Sequence, residues 1–62
     1  MSAEFLKEYI GTEIQVTMDG DLGYYKGILV SVEDNWLKLD TKKRVELLNG
    51  DMVKQVSIRK EK

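Results

Sequence analysis

Turn signals recur so often in this chain that each segment between them has room only for a short strand or a short helix. "DGDLG" (19–23), "EDN" (33–35), "TKKR" (41–44) and "NGD" (49–51) divide residues 12–58 into five runs. Residues 12–18 alternate cleanly. Ile14, Val16 and Met18 point one way and Glu13, Gln15 and Thr17 the other, the pattern of a half-buried strand. Residues 24–32 are rich in aromatic and β-branched side chains and predict a longer second strand. Tyr24 and Tyr25 fall on its two faces, one toward a core or interface and one toward solvent. Gly27 lies inside that run, where a glycine weakens a strand but permits a sharp bend or a close approach of another backbone. Residues 36–40 predict a third strand, with Leu37 and Leu39 on one side and Trp36 and Lys38 on the other. Residues 45–48 and 52–58 predict the fourth and fifth. Between them, Asn49-Gly50 is a strong short-range hairpin signal.

Ahead of the strands, "SAEFLKEYI" (2–10) reads as a short helix with Phe5, Leu6, Tyr9 and Ile10 on one face. Ser2 suits the N-cap, Glu4 the first turn and Gly11 the residue just past the end. So short a helix is not stable alone, and its apolar face must pack on the strands. "RKEK" (59–62) reads as a frayed tail. Five antiparallel strands in so few residues are too many for a flat open sheet with one buried face. The expected fold is therefore mainly β: an N-terminal helix over about 2–10, then a strongly bent five-stranded antiparallel sheet forming a small SH3-like barrel over about 12–59, in a single domain of residues 1–62.

Composition narrows the function classes. A chain of 62 residues buries only about 60% of its unfolded surface, so a domain of this size usually needs a staple. With no Cys there is no disulfide, and with no His the common zinc sites are gone. Self-association is the remaining staple. No metal and no cofactor is expected; "DGDLG" lacks the length and the terminal Glu of a calcium loop. Ser31 and Ser57 have no His to activate them and no Gly-rich phosphate loop is present, so an enzyme is not expected. No apolar run approaches the ~20 residues that span a bilayer, and no signal-peptide pattern follows Met1. The expectation is a cytoplasmic protein without membrane contact. Net charge is −1, but residues 1–35 hold two Lys against seven acids and residues 36–62 hold eight Lys and Arg against four acids. The basic half can face phosphates, or the two halves can complement one another within the fold or between subunits.

Helix, then five strands with a glycine inside the second, resembles the Sm-like superfamily of Sm, LSm and bacterial Hfq proteins. "GILVSVEDNWLKL" looks like its first motif, through Gly27, Leu29, Glu33, Leu37 and Leu39. "YIGTEIQVTMDG" is similar to the family's opening, and "LLNGDMV" (47–53) looks like its second motif. The resemblance covers nearly the whole chain and implies a cyclic homo-oligomer, of five to seven subunits, in which the fourth strand of one copy pairs with the fifth of the next. Such a ring satisfies both open edges of an incomplete barrel.

The resemblance also implies single-stranded, uridine- or adenine-rich RNA as ligand, held by the turn after the second strand and the turn of the second motif. Carried over residue by residue, the position that often stacks on a base falls at Asn35 and the one that often reads it falls at Leu37. The usual cation is replaced by Asn49, followed by Gly50, and Asp51 keeps a polar position. Lys42, Lys43 and Arg44 are the candidate phosphate contacts, or else a solvated loop that keeps an edge from aggregating. Trp36, the only Trp, either stacks on a base or a partner, or fills a barrel or subunit interface. The alternative function is an SH3-like barrel serving as a protein-interaction or assembly module with no nucleic-acid role.

Overall fold

The computed structural model describes residues 3–60. Its strands are β1 (Glu13–Met18), β2 (Tyr25–Glu33), β3 (Trp36–Asp40), β4 (Val45–Asn49) and β5 (Val53–Ile58), with 3₁₀ turns at Glu4–Tyr9 and Gly50–Met52. All five strands join one antiparallel sheet in the order β4-β3-β2-β1-β5. The chain is thus mainly β, as the alternation predicts.

Period-two alternation decides which side chains form the core. Ile14, Val16 and Met18 are buried along β1, and Leu37 and Leu39 along β3. Leu29, Val32 and Leu48 join them from β2 and β4, and the partly buried Val53, Val56 and Ile58 of β5 pack on the same cluster. Side chains from both outer strands reach one core, so the sheet curls around it. Tyr25 packs against that core while Tyr24 is exposed.

β2 keeps its alignment with the core through a bulge. The register runs Leu29 opposite Leu39, then Ser31 opposite Lys38 and Val32 opposite Leu37. One extra residue on β2 switches the buried positions from odd (Gly27, Leu29) to even (Val32) without turning the strand's apolar face outward. The turn into β3 needs only Asp34 and Asn35, since Glu33 and Trp36 already pair, and Asp34 takes the left-handed conformation at φ 53.

The N-terminal segment departs from expectation. It is a 3₁₀ turn over Glu4–Tyr9, shorter than the helix predicted over 2–10. Hydrogen bonds run three residues back, from the N–H of Leu6 to the carbonyl of Ala3 (3.0 Å) and from Ile10 to Lys7 (3.2 Å). At three residues per turn, Ala3, Leu6 and Tyr9 align toward the core, and Phe5 and Ile10 turn to solvent. A segment this short gains too little from the α-helical ladder to hold that form against core packing. Ala3 occupies the N-cap position; Ser2, the expected cap, lies outside the described residues. Gly11 does take the expected positive φ (94°), and its N–H meets the carbonyl of Leu29 at 2.7 Å, which turns the chain alongside β2 into β1.

Asn49-Gly50 does not make a hairpin. β4 and β5 lie at opposite edges of the sheet, and the 3₁₀ turn Gly50–Met52 carries the chain from one edge to the other. Asn49 is extended (φ −80, ψ 117), and Gly50 is not among the positive-φ residues that a type I′ turn requires. No helix among the described residues is long and apolar enough to cross a membrane.

Candidate functional site

Two turns that are remote in sequence meet beside the start of β3. The N–H of Gly50 donates to the backbone carbonyl of Asn35 at 2.6 Å. The Asn35 side chain donates through Nδ2 to Asn49 Oδ1 at 3.3 Å, and Asn49 Oδ1 also accepts from the N–H of Asp51 at 2.9 Å. Asn49 is therefore the cap of the 3₁₀ turn as well as a partner of Asn35, which is how one short amide fixes the exit from β4. Asn35 Oδ1 is buried without a hydrogen-bond partner and lies against Gly50. Glu33, Asp34 and Asp51 flank the two turns in the chain, and all three residues are exposed.

Gly50 is here for room. A Cβ at this position would meet Asn35 Oδ1, with the Asn35 carbonyl oxygen at 2.7 Å and Cγ at 3.0 Å. The side chain can turn aside but the backbone carbonyl cannot, so Gly50→Ala is expected to lose about 1–3 kcal/mol. Asn35→Ala should offset part of that loss, giving a non-additive double variant in urea melts. Strictly additive losses would mean that the two residues do not press on one another.

Lys42, Lys43 and Arg44 sit elsewhere. Thr41 ties their loop: its hydroxyl donates to the Arg44 carbonyl at 2.8 Å and accepts from the N–H groups of Lys43 (3.3 Å) and Arg44 (3.1 Å). The backbone adds a bond from Thr41 N–H to the Arg44 carbonyl at 2.9 Å. β3 runs between this loop and Asn35, and four steps of strand place them about 13 Å apart. The basic loop and the amide knot are two places.

The model of the family DUF6897, described as a domain of unknown function, matches residues 2–60. The chain belongs to the DUF6897 family. No curated protein and no solved structure matches it.

Within this DUF6897 domain, the site residues expected from sequence divide into three groups. Asn35, Asn49, Gly50 and Asp51 come together. Lys42, Lys43 and Arg44 form a separate basic loop. Leu37 is 0% exposed and belongs to the core, because alternation along β3 turns it inward. Its neighbour Trp36 takes the outward place, half exposed and paired across the ladder with Asn49. It does not fill the core of the domain. The signal was present in the sequence, since Trp36 and Leu37 must face opposite ways. Among the described residues, no group of three or more Cys, His, Asp or Glu is arranged to hold a metal ion.

Proposed function

We propose that this chain is a small Sm-like domain that closes its barrel between copies, β4 of one protomer pairing with β5 of the next to form a homo-oligomeric ring. The observation that carries the reading is the strand order β4-β3-β2-β1-β5, which leaves β4 and β5 as the two edges of one curled sheet. Each edge presents unpaired backbone donors and acceptors, a liability in a lone monomer and a template for a partner. Val45 and Leu47 are exposed on β4. A head-to-tail contact that closes satisfies both edges at once and supplies the staple that a chain without Cys or His lacks.

Single-stranded RNA is the ligand this reading favours at the Asn35–Asn49 turns, with Trp36 as the ring on which a base stacks. The juxtaposition of those two turns supports it. Against a strong phosphate contact stand the acids Glu33, Asp34 and Asp51 and the separation from Lys42–Lys43. These features favour the second reading, an assembly module without nucleic acid, and the reading includes no catalytic step. Light scattering at micromolar concentration, joined to titrations with oligoU and oligoA across a salt series, separates the two. The expected result is a discrete multi-copy mass whose oligonucleotide affinity falls with salt. A 7.2 kDa monomer overturns the ring, and a ring that ignores both oligonucleotides at low salt leaves the assembly module.

A further inference from the structure

A cleft of about 620 Å³ lies at the basic loop and not at the amide knot. Gly27 and Ile28 of β2 are among its lining residues, with Lys26, Lys42, Lys43 and Arg44 supplying positive charge and Glu13 and Asp40 the opposing carboxylates. Arg44 leans on Glu46 at 3.7 Å. Among the described residues, no ion pair engages Lys26, Lys42 or Lys43. The cleft therefore offers more cations than carboxylates, with its lysines outside any ion pair, around an apolar side chain, Ile28, that is 40% exposed. A complementary occupant is an acidic segment with an apolar side chain between or beside its carboxylates.

The chain carries such a segment in its 19–24 loop, between β1 and β2. Leu22 is completely exposed (106%) and Tyr24 largely so, with Asp19 and Asp21 beside them. A single exposed leucine means little by itself; the match between its flanking charges and the cleft is what counts. The loop is shaped, since Asp19 N–H donates to the Met52 carbonyl at 2.7 Å, Asp21 N–H to Met18 at 3.2 Å, and Gly20 takes φ 85. It cannot reach the cleft of its own protomer. Glu13 and Ile28, which pair, line the cleft at one end of the β1–β2 ladder. The loop leaves from the other end, about 17 Å away along β1.

We propose that the cleft of one copy receives the 19–24 loop of a second copy, with Leu22 against Ile28 and Asp19 and Asp21 facing Lys42 and Lys43. The contact joins two different surfaces, so each copy offers one loop and one cleft. It goes beyond the edge pairing proposed above and does not rest on it. It also gives a role to the division of charge between an acidic first half and a basic second half. Its exposed ion pairs make it a weak contact that strengthens as salt is removed.

Charge exchange tests it. Lys42→Glu with Lys43→Glu makes one variant, and Asp19→Lys with Asp21→Lys makes the other; all four positions are exposed. Wild-type association, followed by sedimentation velocity, is expected to gain a step at low salt. That step should weaken about tenfold in each variant alone and return when the two variants are mixed. Circular dichroism melts matching wild type show that both variants fold. No recovery in the mixture, or no salt-dependent step in wild type, overturns the proposal. If the cleft instead binds oligoU through Lys42 and Lys43 while the Asp19/Asp21 variant associates like wild type, a polyphosphate is the occupant and the proposal is wrong. Edge pairing is read separately, as a mass that persists at high salt in both variants.

Discussion

Leu37→Ala is expected to remove about 2–5 kcal/mol of stability, the cost of an unrelaxed cavity in a core. Leu37 stands in the middle of a buried cross-strand row, between Val32 of β2 and Leu48 of β4. Truncation leaves all three strands facing a void. A domain of this length has only about 3–9 kcal/mol to lose. The thermal midpoint should therefore fall by at least about 8 °C, or the variant should not fold. Leu37→Met, which keeps the volume, should stay folded and lose less than about 1.5 kcal/mol. Leu37→Asn should be worse than the alanine. It adds an unsatisfied buried amide, a further cost of roughly 1–3 kcal/mol. A melt within a degree or two of wild type for Leu37→Ala would place the residue outside the core and reopen its role as a contact.

Gly27→Ala should cost about 1–3 kcal/mol. A Cβ there would lie 2.7 Å from the Asp40 carbonyl oxygen, 3.0 Å from its carbon and 3.2 Å from Thr41 Cα. All three atoms are backbone, so relief requires β2 and the end of β3 to separate. That movement would disturb the pairing of Ile28 with Asp40 and the Thr41–Arg44 turn beyond it. Replacing glycine also restricts the unfolded chain, which favours folding by about 0.4–1 kcal/mol; the clash outweighs that gain here. Gly23→Ala is the control, because nothing lies within 4 Å of its Cβ position and its φ is not positive. It should be neutral or slightly stabilising. The measurement is the urea midpoint at unchanged slope. Equal midpoints for both variants would show that β2 has room at Gly27.

The same two residues show how far a sequence carries. Gly27 stood out as a glycine inside a strand, where a close backbone approach is a standard reason, and the approach is there in Asp40. Leu37 could be placed by alternation, which put it with Leu39 and opposite Trp36. The resemblance put it at a ligand instead, and the local rule prevailed because a strand's side chains have no other way to point. The first segment was less legible. Apolar residues at 5, 6, 9 and 10 fit an α-helical face, yet 3 and 6 are the buried ones. The choice between three and 3.6 residues per turn was made by the surface on which the segment packs.

Asn49-Gly50 was misleading in a different way. The dipeptide favours a hairpin wherever its two flanking strands are neighbours, but here those strands occupy opposite edges. Gly50 is needed because Asn35 arrives from another turn, and nothing within residues 45–53 announces that. Likewise the bulge in β2 exists only relative to β3, and the cleft only because residues 41–44 fold beside β2.

What the chain determined by itself was the number of strands, the positions of their turns and the buried side of the two cleanly alternating strands, β1 and β3. These follow from backbone geometry and from alternation within a few residues. Tertiary structure alone decided which strands became the edges, that two distant asparagines share a hydrogen bond, and that the basic loop stands apart from them. Those outcomes depend on pairings between segments far apart in sequence, and such pairings are settled by how the whole sheet curls around its core.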